Sequence, residues 1–398
     1  MNIFIRADGN KDIATGHIMR CLSIAESCIR VCDSEKMTAS MNNGVNVTFL
    51  VSDEESKNLL LNRVKGFDYI IDCIVLNSDY RDLSTDFNSS VYKDIDWTAV
   101  DALLVDSYKA SDEYFIKLRA QLDEVFENTG HKVKIAYMDD FYRKNLPVDM
   151  VVNYDAKAVE KREFYKDIPQ RLLGFSYTPL RSMFEHVKVK KQKLDPDANV
   201  IKKILLTAGG AYINQAMDKL MPYITNWMNE ELMQPEENDP TGLKKYGEKK
   251  PSGYELHIML GRPLTMIEEQ MNITASAMAE AGVSTIYHPY VSDMAEFIKG
   301  FDLVISAGGT TLKEVCAVGV PCVSFALGDD QVINATGMKD AGLIPYIGDL
   351  RENEYQKHVA NVLHLTITPE YKDAISRKMR ESIDGKGALR IARALMNK

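Results

Sequence analysis

The chain of 398 residues is long enough for two domains of ordinary size. Its 45% hydrophobic and 26% charged residues are those of a globular protein able to bury large cores. A net charge of −9 argues against a nucleic-acid or acidic-membrane partner, but a small anion could still be held locally by a helix end.

The chain opens on "NIFIRADGN", where Ile3, Phe4 and Ile5 form a short apolar run of the kind that makes a buried strand. In "IATGHIMRCLSIAES" (13–27), Ile18, Cys21, Leu22 and Ala25 then recur at the spacing of one helix face. The segment reads strand, polar loop, helix, with His17 at the helix N-terminus directly after Gly16. Gly16 is expected to let the backbone turn tightly. The positive end of a helix disfavours an imidazolium, and a neutral imidazole is a competent general base. The alternative is an exposed capping histidine. Asp8, in the same loop, either orients His17 or caps a turn at Asp8-Gly9.

Further strands are expected in "VTFLVS" (47–52), "DYIIDCI" (68–74), "DALLVDSY" (101–108), "KIAYMDD" (134–140) and "MVVN" (150–153). The stretch 186–200 is charged, contains proline and is poor in large apolar side chains, as a linker would be. Alternation then restarts with "KKILLTAGG" (202–210), "ELHIMLG" (255–261), "DLVISAGG" (302–309) and "PCVSFAL" (321–327). Residues 229–254 are polar and fall between a helix and the next strand, which predicts a mobile insertion. Residues 371–397 read as helix, glycine break, helix. The expected architecture is α/β: two Rossmann-like domains, 1–185 and 201–398, with mainly parallel sheets and a cleft between them.

No basic stretch followed by about 7–15 apolar residues marks a secretory signal, and no run approaches the ~18 apolar residues of a membrane span. The six cysteines form no CxxC pair and read as reduced core thiols of a cytoplasmic protein. The seven histidines make no HxxxH or HxH pair, so no metal site is expected.

In open α/β sheets, ligands bind where strand ends meet helix N-termini. One such place is "SAGGTTLKEVCAVGVP" (306–321). There Gly308, Gly309, Thr310 and Thr311 could hold a pyrophosphate at a helix end, and Glu314 could accept from ribose hydroxyls. Threonine capping with a first-turn glutamate is the structural alternative. Gly209 and Gly210 in "LLTAGGAYINQAM" (205–217) repeat the logic or serve packing alone. In "LGDDQVINA" (327–335), Asp329, Asp330 and Gln331 could meet sugar hydroxyls or cap a helix. Tyr108, Asp139 and Asp140 stand at first-half strand ends.

"IRADGN…IATGHIMRCLSIA" resembles the opening of the UDP-sugar hydrolases of pseudaminic acid biosynthesis, which have a GT-B-like fold similar to the transferase of peptidoglycan lipid II synthesis. The resemblance continues in order through 103–108, 138–155, 172–184, 205–214 and 304–331. It implies hydrolysis of a UDP-2,4-diacetamido-2,4,6-trideoxy sugar, with water attacking the anomeric carbon, C–O cleavage and inversion. His17 would be the base or water-orienting group, with Asp8 beside it. Gly16, Arg20, Tyr108, Gly209, Gly210, Gly308, Gly309, Thr310, Thr311, Glu314, Asp330 and Gln331 would bind substrate. No metal or cofactor is implied. The alternatives are a GT-B glycosyltransferase using a hydroxyl acceptor and a non-catalytic nucleotide-sugar-binding protein. This chain has Asp330 where the family commonly has asparagine. It also has Ala211-Tyr212-Ile213 where the family often has a Ser-Asp-Pro turn, and it is longer than typical members.

Overall fold

The computed structural model describes residues 1–13, 15–36, 44–65, 69–187, 203–232, 255–261, 276, 278–279, 283–366 and 369–397. Most of the expected linker and of the expected insertion lies outside the described residues. The chain divides into two compact units, Met1–Glu185 with Gly385–Lys398, and His186–Asp384.

The first unit holds seven strands: β1 (Asn2–Ala7), β2 (Asn46–Val51), β3 (Asp72–Val75), β4 (Ala102–Asp106), β5 (Lys134–Met138), β6 (Met150–Asn153) and β7 (Gln170–Leu173). They form one sheet in the order β3-β2-β1-β4-β5-β6-β7, with every neighbouring pair parallel. Its helices are α1 (Gly16–Lys36), α2 (Glu54–Val64), α3 (Ser90–Lys93) and α4 (Asp112–Thr129). Ile3 and Ile5 share one core with Ile18, Cys21, Leu22 and Ala25 of α1. Leu103 and Val105 point into a second core with Tyr114, Phe115 and Leu118 of α4. The central strands are therefore buried on both faces, which is why they read as continuous apolar runs.

The second unit repeats the plan. Its strands are β8 (Lys203–Thr207), β9 (Glu255–Met259), β10 (Ser284–His288), β11 (Leu303–Ala307), β12 (Cys322–Ala326) and β13 (Tyr346–Asp349). They lie in the order β10-β9-β8-β11-β12-β13, again all parallel. Around them run α5 (Gly209–Leu232), α6 (Met294–Lys299), α7 (Thr310–Val318), α8 (Asp329–Asp340), α9 (Val359–Thr366) and α10 (Pro369–Ser382). In each sheet the chain builds outward on one side of its first strand, then crosses to the other. That reversal makes a switch point between β1 and β4, and another between β8 and β11. Among the described residues, no helix is long and apolar enough to cross a membrane.

Three strands escape the sequence pattern: β7, β10 and β13. All three are sheet edges, where one side of the strand is half solvated and no unbroken apolar run is required. The expected strand at 68–74 is shifted to Asp72–Val75, and Ile70 is exposed.

The last helix, α11 (Gly387–Met396), corrects the expected boundary. It belongs to the first unit, not to a domain running from 201 to 398. Ala388, Ile391, Ala392 and Leu395 join the core that α1 occupies, and Lys134 Nζ donates to the carbonyl of Ala394 at 2.7 Å. Two glycines permit the return. Gly385 takes a φ of +76°, and a Cβ at Gly387 would overlap the backbone carbonyl of Thr178. Gly387→Ala is therefore expected to destabilise the protein by about 1–3 kcal/mol, the usual cost of overpacking. A lowered denaturant midpoint would register this loss, and an unchanged midpoint would show that α11 docks with slack.

Candidate active site

β1 ends at Ala7 and β4 at Asp106, and these residues are register partners at the carboxyl edge of the first sheet. Asp106 is completely buried. From the first turn of α1, His17 Nδ1 lies 2.7 Å from Asp106 Oδ1. One turn later, Arg20 Nε donates to Asp106 Oδ2 at 2.6 Å, while its Nη2 shares Oδ1 with the imidazole. Cys21 Sγ donates to Oδ2 at 3.3 Å. Positions 17, 20 and 21 fall on one side of a helix, so one strand-end carboxylate organises all three.

Burial alone would raise the Asp106 pKa, but Arg20 and then His17 outweigh it and hold the carboxyl well below its usual 3.8. An ionised carboxylate only accepts hydrogen bonds. His17 Nδ1 is therefore the donor, and in the neutral imidazole the lone pair falls on Nε2. Arg20 Nη2 and His17 Nδ1, 3.2 Å apart, are then two donors converging on one oxygen. Tyr108, half exposed, packs edge-on to the imidazole with centroids 4.4 Å apart. The Cys21 thiol is pushed well up by burial and then by Asp106, so it is no nucleophile.

Three expectations change here. Asp8 does not orient His17. Its Oδ1 accepts from Ser52 N at 2.6 Å, and its Oδ2 accepts from Arg6 Nη1 at 2.6 Å and Ser52 Oγ at 2.9 Å. Arg6 is buried and also donates from Nε to Asp86 at 2.7 Å, so Asp8 belongs to an internal ionic cluster. Arg20, expected on the substrate, commits all five N–H groups within the protein. Besides Asp106 it donates to Asp140 Oδ1 at 3.2 Å, Asp140 Oδ2 at 2.7 Å and Tyr154 Oη at 2.6 Å. Gly16 opens α1 without a positive φ, and a Cβ there would meet nothing within 4 Å. A tight turn is not what its backbone requires.

Asp106 is the residue that sequence reasoning missed. Its signal was an acidic residue closing the apolar run "ALLVD", on a strand that must lie beside β1 if the sheet reverses there. Asp140, noted only as a strand-end carboxylate, proves to be the outer brace of Arg20.

In the second unit, β8 and β11 are neighbours, with Ser306 opposite Thr207. The loop after β8 leads into α5 at Gly209, which takes a φ of +71°, followed by Gly210. After β11, buried Gly308 has no room for a Cβ, which would overlap the Gln331 carbonyl. The N-cap of α7 is Gly309, which has no side chain to offer, so the first-turn N–H groups at Thr310 and Thr311 are left for another acceptor. A Cβ at Gly309 would meet nothing within 4 Å. Asn334 Nδ2, on α8, ties that helix to the loop after β11 by donating to Gly308 O at 2.6 Å. Glu314 is buried in the second turn of α7, while Asp330 is exposed at the start of α8. Gln331, expected on the sugar, is buried, and its Oε1 accepts from Leu327 N at 2.9 Å. That oxygen holds the β12–α8 turn. Among the described residues, no group of three or more His, Cys, Asp or Glu side chains is placed to hold a metal ion.

Residues 243–383, a range that includes Gly308–Thr311 and Asp330–Gln331, match the family model of the Glycosyltransferase family 28 C-terminal domain. MurG of Acinetobacter baumannii superposes with a TM-score of 0.60 at 13% identity, covering 99% of this chain and 98% of that one. UDP-GlcNAc 2-epimerase from Neisseria meningitidis, bound to UDP-GlcNAc, gives 0.59 at 14% identity and covers both chains completely. The fold is of the GT-B type.

In sequence, an uncharacterized protein of Methanocaldococcus jannaschii is 22% identical over 329 residues. That match takes in 81% of this chain and 55% of the relative, so the chain spans about half the length of that protein. A UDP-N-acetylglucosamine–N-acetylmuramyl-(pentapeptide) pyrophosphoryl-undecaprenol N-acetylglucosamine transferase of Marinobacter nauticus is 36% identical over 80 residues. Those residues are 19% of this chain and 22% of the transferase.

The Asp106 cluster makes a prediction about stability. Asp106→Asn leaves Arg20 and His17 around a neutral amide, and breaking a buried pair on one side costs about 3–5 kcal/mol. The native carboxyl is depressed, so its contribution is complete above the unfolded value near 3.8 and is lost as pH falls toward the native value. Denaturant unfolding should therefore show a wide gap between wild type and variant at neutral pH that narrows in acid below that value. A gap independent of pH would mean that Asp106 is not the ionised centre of the cluster.

Proposed function

We propose that this chain is an enzyme acting on a UDP-activated sugar. More specifically, we propose that it hydrolyses a UDP-diacetamido-trideoxy sugar of the pseudaminic-acid type, releasing UDP with inversion. The observation that carries the reading is His17, whose Nδ1 is fixed by a buried ionised carboxylate while Nε2 is left to accept a proton. On this reading Nε2 takes a proton from water as the water oxygen attacks the anomeric carbon. The bond from that carbon to the β-phosphate oxygen breaks, and its electron pair leaves on UDP. Asp106 stabilises the imidazolium that forms. The first-turn N–H groups of α7 receive the diphosphate charge beside Gly308 and Gly309, and Glu314 accepts from the ribose. The nucleotide assignment draws support from the transferase and the epimerase, both named for UDP-N-acetylglucosamine. Water as the attacking group is what the resemblance to the UDP-sugar hydrolases implies, a resemblance carried in order by the motifs from residue 2 to residue 331.

A second reading, transfer to a hydroxyl acceptor, is favoured by the family 28 match and by the transferase relative. It uses the same base and the same nucleotide site. The two part company in one assay, in which UDP release is followed over a panel of UDP-sugars with and without added hydroxyl acceptors. Hydrolysis requires release in water alone, and an absolute need for an acceptor selects transfer. His17→Asn should bind UDP as the wild type does and lose about 10²–10⁴-fold in turnover, the usual weight of a general base. Wild-type turnover in that variant would remove His17 from the chemistry.

A further inference from the structure

The connection after β5 begins Asp139, Asp140, Phe141, and both of its carboxylates are engaged within the protein. Asp139 is completely buried and accepts from the backbone N–H of Phe141 at 2.9 Å, from that of Arg143 at 2.8 Å and from Tyr165 Oη at 2.8 Å. Asp140 pairs with Arg20. The Arg143 guanidinium donates to the carbonyls of Ala110 and Tyr108, and its carbon sits 5.7 Å from the Phe141 ring centroid. Arg143 thereby clamps the loop after β5 to the loop after β4. On this pinned backbone the Phe141 ring points outward, 53% exposed. Its centroid is 5.2 Å from that of Tyr108, which is 49% exposed and packs against His17 in turn.

A phenyl ring held half in water by a buried polar scaffold offers a fixed apolar surface. Here that surface continues, ring by ring, to the imidazole. Such a surface favours C–H groups over hydroxyls, because a hydroxyl set against it loses water without gaining a partner. We propose that Phe141 contacts the sugar and sets its specificity, its ring taking the methyl of an acetamido substituent. The inference rests on the reading of the site as that of a UDP-sugar enzyme, and the acetamido group is the apolar-tipped substituent of the N-acetyl sugar named in its relatives.

The test uses the full chain and a matched pair of UDP-sugars differing only in an acetamido group against a free amine or hydroxyl. Methyl-sized discrimination by an apolar contact runs from roughly 10-fold to 200-fold. Phe141→Ala should raise KM for the acetamido sugar about tenfold, cost less in kcat, and erase most of the preference within the pair. Phe141→Tyr keeps the ring and should keep the preference, and inhibition by UDP alone should be the same in all three proteins. Wild-type KM and preference in Phe141→Ala, with turnover intact, would overturn this inference and leave the proposed reaction standing. No turnover of any UDP-sugar by the wild type would overturn both.

Discussion

The carboxylate of Asp106, buried at the end of a central strand, is the constraint around which the first unit is arranged. Such a group is costly to bury unless it is paired and hydrogen-bonded, and removing a partner leaves an uncompensated charge. Here α1 supplies both partners, His17 and Arg20, from adjacent turns. The helix must therefore enter at a defined angle and register over the sheet. Arg20 extends the constraint by reaching Asp140 after β5 and Tyr154 after β6, so one guanidinium binds the carboxyl ends of three strands to α1. The interaction that makes the fold tolerate a buried charge also gives the histidine its tautomer.

The two units share one topology and carry different chemistry at the same place in it. The first has a titratable pair at its switch point. The second has a helix whose glycine N-cap leaves N–H groups to other acceptors, close to a glycine packed too tightly to carry a side chain. One arrangement suits moving a proton, and the other suits holding a diphosphate.

Sequence reasoning reached the central strands, the helix after β1 and the exposure of chemistry at strand ends, because these follow from apolar periodicity and from the geometry of parallel sheets. Edge strands such as β10 and β13 escaped it, since half-solvated strands need no apolar run. The partner of His17 escaped it for a related reason. Asp8 is near in sequence, whereas Asp106 is 89 positions away and is brought beside Ala7 only by the crossover that reverses the sheet. Arg20 was named only through the resemblance, as a substrate contact, and its five commitments within the protein are all tertiary. The return of α11 to the first unit depends on close backbone approaches at Gly385 and Gly387 that no local pattern announces.

The central claim is that His17 directs water at a sugar carbon and not at phosphorus. Turnover in ¹⁸O-labelled water, without added acceptor and with both products examined by mass spectrometry, tests it most directly. The account predicts label in the anomeric hydroxyl of the released sugar and none in UDP. Label in the β-phosphate of UDP would mean P–O cleavage and would contradict the role given to His17.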